Sequence, residues 1–213
     1  MIKLVQAGQA GKTRYLFEMH RFRKAVFKDR LDWDVQVDAN GFESDEFDLP
    51  EALYLLAIDQ KDRVVGSWRL LPTSGPTMIR DVWPDFLQTL PMPASEQVWE
   101  ASRFGVRSFE KSSKDCIRQL NIVTAEMFCA LTELCLLCGI QQIYTLYDHK
   151  IARLLKRLDC QPVAVSREIR IDDIPAQIGC FNTDEDMLMR LRSASGLHDS
   201  LLDTEDLPPV LLK

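Results

Sequence analysis

The chain has 213 residues, 46% hydrophobic and 27% charged, the make-up of a globular protein and neither a disordered nor a fibrous one. Thirty-two acidic residues against 26 basic give a formal charge of −6, which argues against broad binding to nucleic acid and against stable membrane association. No apolar run approaches the ~20 residues of a membrane span. The opening MIKLVQAGQAGKTRYLF lacks the apolar segment of a signal peptide, so a cytoplasmic protein is expected.

In chain order, Ile2 to Val5 predicts a strand, and Gln9 to Phe27 predicts a helix with Tyr15, Leu16, Met19, Phe22 and Val26 at helical spacing. Residues 28–50 are polar, acidic and broken by Asn40-Gly41 and Pro50, which makes a long loop with at most one short strand. Leu53 to Asp59 and Val64 to Leu71 form a hairpin around Gln60 to Arg63. A short helix is expected within Asp81 to Leu87, and Gln97 to Arg107 alternates as a strand. Asp115 to Cys138 is the strongest helix, closed by Gly139. Strand Gln142 to Tyr147, helix His149 to Leu158 and a strand over Pro162 to Ile169 complete an α/β alternation. Asp184 caps a helix to about Arg192, and a weakly packed acidic tail follows.

Cys116, Cys129, Cys135, Cys138, Cys160 and Cys180 read as reduced, buried small side chains. Cys135 and Cys138 have ligand-like spacing but lie in the apolar run AEMFCALTELCLLCGI without a second pair, so no metal site is expected.

Arg23, Phe27, Trp33, Asp45 and Asp48 crowd the loop and the helix before it. One by one they are ordinary: solvated carboxylates and an aromatic lid. Together they suit a ligand with an ammonium or sulfonium centre, which wants carboxylates and an aromatic face, while Arg23 could grip the same ligand's carboxylate. In Val98-Trp-Glu-Ala-Ser-Arg-Phe-Gly, strand alternation puts Glu100, Ser102 and Phe104 on one face and Trp99 and Arg103 on the other. Glu100 is then either a partly desolvated general base or a structural partner of Arg69 or Arg103.

Arg23-Lys-Ala-Val-Phe27-Lys-Asp-Arg-Leu-Asp-Trp33, Glu43-Ser-Asp45-Glu-Phe-Asp48, Gly66-Ser-Trp-Arg69-Leu-Leu-Pro-Thr73 and Trp99-Glu100-Ala-Ser-Arg103-Phe104 together resemble the acyl-homoserine-lactone synthases, the autoinducer synthases of bacterial quorum sensing. A weaker similarity continues through Ile143-Tyr-Thr145 and Ala152 to Arg157 to about residue 181. The resemblance implies a single-domain α/β fold over residues 1–182, an N-acetyltransferase-like three-layer sandwich with a mixed V-shaped sheet, and a short helix and acidic extension over 183–213. It implies two substrates, S-adenosylmethionine and an acyl chain on acyl carrier protein, and no cofactor.

By the same resemblance Arg23, Phe27, Trp33, Asp45, Asp48 and Arg103 bind S-adenosylmethionine, Arg69, Ser102 and Phe104 organise the site, and Glu100 is the base. Backbone N–H groups near residues 101–105 would stabilise an oxyanion. Phe128, Leu131, Thr145, Tyr147, Ile151 and Leu155 match the family's acyl pocket, although each is equally an ordinary core position; in the family a Thr at the place of Thr145 goes with 3-oxo chains. Asp159-Cys160 departs from the family's Gly-aromatic pair. Residues 149–170 carry a local charge of +4, and Lys150, Arg153, Lys156 and Arg157 recur at helical steps, a face suited to an acidic carrier protein.

Two alternatives remain. An acetyl-CoA-dependent N-acetyltransferase would normally have a Gly-rich pyrophosphate turn, yet no glycine lies between Gly105 and Gly139. A non-catalytic sensor of S-adenosylmethionine or acyl chains would keep the pocket but not need Glu100.

Overall fold

Alternating apolar residues at the start of the chain form β1 (Ile2–Gln6), which pairs antiparallel with β2 (Leu53–Ile58), Leu4 lying opposite Leu55. A computed structural model describes residues 1–6, 12–107, 114–171, 173–202 and 207, with side chains of the long helix from 122 onward. The chain divides into two compact units, Met1–Arg69 with Arg103–Ala130 and Ser200–Lys213, and Leu70–Ser102 with Leu131–Asp199.

In the first unit the strand order is β1-β2-β3-β4, with β3 at Val64–Pro72 and β4 at Val98–Val106. Both strands continue into the second unit, β3 after Arg69 and β4 after Ser102. The β2–β3 turn is held by Asp59, whose carboxylate accepts from the N–H groups of Lys61 and Arg63 at 2.8 and 3.0 Å. Helix α1 (Thr13–Arg23) buries Met19, Phe22 and Arg23 and runs straight into a π-helical segment, Lys24–Arg30. The expected helix start at Gln9 lies outside the described residues. Helix α3 (Lys114–Cys138) approaches β3 closely: a Cβ on Gly66 would stand 2.6 Å from the Met127 sulfur.

In the second unit the order is β3-β4-β5-β8-β6, with β5 at Gln142–Asp148, β6 at Ala164–Val165 and β8 at Ile174–Asn182; β7 (Ile169–Ile171) also pairs with β8. β4 and β5 are parallel and β5 and β8 antiparallel, so the sheet is mixed, as expected. Ile79, Phe86, Leu90, Tyr144, Ile178 and Cys180 pack together on one face of these strands. Helix α2 (Met78–Val82) starts at Thr77, whose hydroxyl accepts from Arg80 N–H, and α4 (His149–Arg157) starts at Asp148, which accepts from the N–H groups of Lys150 and Ile151 at 2.9 and 3.0 Å. Helix α5 (Glu185–Ser195) is capped by Asp184 as expected and ends at Gly196 with φ +74°.

Four details differ from expectation. The short helix begins at Met78 and breaks at Trp83, where a 3₁₀ turn over Pro84–Gln88 takes over. The strand expected over Pro162 to Ile169 is split into β6 and β7. β8, the most heavily paired strand of its unit, has no counterpart in the sequence reading. The tail is not uniformly weakly packed, because Leu202 and Leu207 are buried; residues 203–206 and 208–213 of it lie outside the described residues. Cys129, Cys135, Cys160 and Cys180 are free and buried, and Cys138 is half-buried; the Cys116 side chain lies outside the described residues. Among the described residues no helix is long and apolar enough to cross a membrane.

Candidate active site

The first unit gathers three arginines and three carboxylates. Arg23 comes from the last turn of α1, Glu43, Asp45 and Asp48 from the long loop, Arg69 from β3 and Arg103 from β4. Arg23 donates from Nε to Glu43 and from Nη1 to Asp48 Oδ1 at 2.6 Å, and its Nη2 stands 3.7 Å from Asp45 Oδ2. Arg69 Nη1 donates to Asp45 Oδ1 at 2.5 Å and to Asp48 Oδ1 at 3.1 Å. Arg103 Nη2 lies 2.7 Å from Asp45 Oδ2 and its Nε 3.2 Å from Glu43 Oε1. The Tyr54 hydroxyl donates to Asp48 Oδ1 at 2.8 Å, and the Asp45 N–H donates to Asp48 Oδ2 at 2.9 Å.

The six formal charges cancel, which is the condition under which ions can be buried without a large net cost. Burial alone would raise the Asp48 carboxyl, but Arg23 and Arg69 override it and hold it well below the usual carboxylate range. Burial also pushes Tyr54 up, and the neighbouring Asp48 charge adds to it. The loop is tied to α1 by the Glu43 N–H, which donates to the His20 carbonyl at 3.2 Å.

Arg23, expected to meet the ligand, faces three of the protein's own carboxylates here. Its guanidinium, 1% exposed, is committed to the protein's own carboxylates and holds the loop in place. Asp45 and Asp48 likewise serve the arginines first, but at 10% and 9% exposed they keep an edge outside the core. Glu43, fully buried, was not singled out from the sequence. Its signal was its place two residues before Asp45 in an extended stretch, where side chains two apart share a face.

Phe27 and Trp33 stack at 5.2 Å with planes 19° apart, and the Arg103 guanidinium lies 5.6 Å from the Phe27 ring centre. Phe27 is buried, whereas Trp33 is 41% exposed and presents an open aromatic face. The π-helical segment makes this pairing: Leu31 N–H reaches Val26 O at 3.1 Å, and Trp33 N–H reaches Phe27 O at 2.9 Å.

Strand alternation fails at Arg103, which has φ +56°. A non-glycine residue there marks a bulge, which re-aims the residues around it. Phe104 accordingly packs on Trp68 at 4.7 Å. Ser102 is half-buried on β4.

In the second unit, Glu100 is fully buried and accepts from Ile79 N–H at 2.7 Å and Met78 N–H at 3.3 Å, at the start of α2. The expectation of partial desolvation is thus corrected. The carboxylate is fully buried and is met by both N–H groups at the start of α2.

Of the expected acyl-pocket residues, Phe128 is buried in the first unit; Leu131, Tyr147 and Leu155 are buried in the second, where Thr145 and Ile151 are half-buried. Thr145 lies opposite Gly179 on β8. The Tyr147 ring crosses over that glycine, and the Tyr147 hydroxyl accepts from Gln177 Nε2 at 3.0 Å. Lys150, Arg153, Lys156 and Arg157 are all exposed on α4.

The sequence model of the family described as autoinducer synthase matches residues 10–191. The chain belongs to the autoinducer synthase family. A probable acyl-homoserine-lactone synthase of Sinorhizobium fredii is 35% identical over 86% of this chain and 88% of its own length. This autoinducer synthase is therefore an acyltransferase of the acyl-homoserine-lactone type. Its fold is that of a CoA-dependent acyl-homoserine lactone synthase, MesI, with TM-score 0.80, 24% identity and coverage of 96% of this chain and 100% of the other. A second CoA-dependent synthase, BjaI, solved with SAM and isopentyl-CoA, gives TM-score 0.78 and 22% identity over 93% and 90%. An N-acetyltransferase from Lactobacillus plantarum shares the architecture more loosely, with TM-score 0.51 and 17% identity over 85% and 98%. The family match over most of the chain sets aside both the acetyl-CoA and the sensor alternatives.

Proposed function

We propose that this autoinducer synthase acylates the α-amino group of S-adenosylmethionine from an acyl thioester on acyl carrier protein, and that the product closes to a lactone. The observation that carries this reading is the aromatic stack of Phe27 and Trp33 beside a charge-balanced cluster whose Asp45 and Asp48 keep some exposure. A sulfonium centre finds there an aromatic face and carboxylate charge in one place. That BjaI was solved with SAM supports the substrate.

The chemistry sets the roles. The amine must lose a proton before it attacks, and Glu100 takes it, directly or through water. The new C–N bond forms as the carbonyl electron pair moves to oxygen; its return expels the thiolate. Backbone N–H groups at the Arg103 bulge stabilise that oxyanion. The methionine carboxylate then displaces methylthioadenosine from the sulfonium-bearing carbon within one molecule, where proximity supplies much of the rate. S-adenosylmethionine is consumed as a substrate, and no cofactor takes part.

The exposed basic face of α4 favours acyl carrier protein as donor, since it complements an acidic partner. Thr145, half-buried on β5 opposite Gly179, offers a hydroxyl to a 3-oxo group. The test is methylthioadenosine release by the purified chain and by Glu100→Gln. The variant should lose roughly 10²- to 10⁴-fold in turnover while calorimetry still detects S-adenosylmethionine binding. Loss of binding together with turnover would make Glu100 a structural anchor of α2 and not the base.

A further inference from the structure

Trp68, on β3 in the first unit, is 3% exposed, and its indole N–H has no hydrogen-bond partner among the described residues. Its ring packs against two other aromatic rings. Phe104 lies 4.7 Å away at 53° and Phe128 4.8 Å away at 61°, and these two meet each other at 5.7 Å and 71°. An orphaned buried donor costs about 1–3 kcal/mol, so a structure retains one where something else satisfies it. A phenylalanine in this place would complete the same aromatic cluster without that cost.

The neighbours indicate what the donor meets. Phe104 follows the β4 bulge at Arg103, the stretch assigned above to the oxyanion, and Phe128 belongs to the expected acyl pocket. A fatty-acyl thioester brings one acceptor whatever its chain, its carbonyl oxygen. We infer that the Trp68 indole N–H is a hydrogen-bond donor to the thioester carbonyl, strengthening as that oxygen gains charge when the amine attacks. This rests on the acyl-transfer reading above. The donor adds no atom to the reaction: it polarises the carbonyl, holds the oxyanion and releases it when the thiolate leaves. Burial of Trp68 makes one such bond worth more than it would be in solvent.

Steady-state rates decide it, measured with the unsubstituted protein, Trp68→Phe, and a variant carrying 3-benzothienylalanine at Trp68, which keeps the bicyclic shape and replaces N–H by sulfur. Each is assayed with a saturated and a 3-oxo acyl donor of equal length. The sulfur isostere should lose about 10²-fold in kcat with both donors, the cost of one oxyanion donor. Its Michaelis constants should change by no more than about twofold, because the bond matters most in the transition state. Trp68→Phe should follow the isostere in kcat. Full kcat in the isostere overturns the role, as does a loss confined to the 3-oxo donor or carried by the Michaelis constants. Absence of lactone from the unsubstituted protein with either donor would overturn the acyl-transfer reading itself, and this role with it.

Discussion

Replacing Glu43 by Gln keeps the side chain's shape and removes one of the three negative charges that balance Arg23, Arg69 and Arg103. The carboxylate is fully buried and faces Arg23 Nε on one oxygen and Arg103 Nε, at 3.2 Å, on the other. The variant therefore carries one uncompensated positive charge inside the first unit, and removing one partner of a buried pair costs about 3–5 kcal/mol. At about 2–4 °C per kcal/mol for a chain of this size, the melting temperature should fall by about 6–20 °C. Urea unfolding followed by tryptophan fluorescence reads the free energy directly. Asp29→Asn is the control: it breaks a Lys24 pair of 2.8 Å whose side chains are 34% and 52% exposed, and should cost no more than about 1 kcal/mol. Adding Arg103→Met to Glu43→Gln returns the cluster to balance and should recover part of the loss. A Glu43→Gln protein within about 1 kcal/mol of the unsubstituted one would refute the claim that charge balance holds the cluster together.

The acid limb of stability should follow Asp48. Its folded carboxyl is held below the unfolded value of about 3.9, so its contribution is complete above that pH and disappears as pH falls through the folded value; Asp48→Asn should flatten the acid unfolding curve and leave stability between about pH 5 and 8 without slope from this group. Gly179→Ala would bring a methyl to 2.8 Å from both Tyr147 Cε1 and Phe181 Cε2, forcing the rings aside at a cost of about 1–3 kcal/mol and changing the lactone profile; Tyr147→Val in the same chain should relieve part of the cost in thermal melts, the Phe181 contact remaining. Reversing Lys150 and Arg157 to Glu should raise the Michaelis constant for acyl carrier protein and leave that for S-adenosylmethionine nearly unchanged, and equal effects on both would argue against docking on α4.

Much of this was legible in the sequence because it rests on local signals. The strand pair around Asp59, the helix closed by Gly139 and the caps Asp148 and Asp184 all follow from residues whose short side chains or permissive backbone act within a few positions. The clustering of Arg23, Asp45, Asp48, Arg69 and Arg103 was legible from their motifs. Their mutual pairing was not: sequence spacing cannot tell whether a carboxylate meets a ligand or an arginine 20 to 60 residues away. β8 stayed hidden because Pro175 and Gly179 interrupt its pattern, and the reason for Gly179 is the Tyr147 ring on the neighbouring strand. The bulge at Arg103 was invisible for a related cause, since one residue in a left-handed conformation shifts every later side chain without leaving a compositional trace. In seven residues, the wider π turn over Lys24–Arg30 has the same apolar spacing as an ordinary helix end.

Whether one enzyme joins the two substrates is read by mass spectrometry of a single reaction. The purified chain is incubated with S-adenosylmethionine and a 3-oxoacyl group carried either by acyl carrier protein or by CoA. The expected products are an acyl-homoserine lactone and an equal amount of methylthioadenosine, formed faster from the carrier protein. Methylthioadenosine without lactone, or lactone from acyl-CoA at the higher rate, would contradict the proposed reaction.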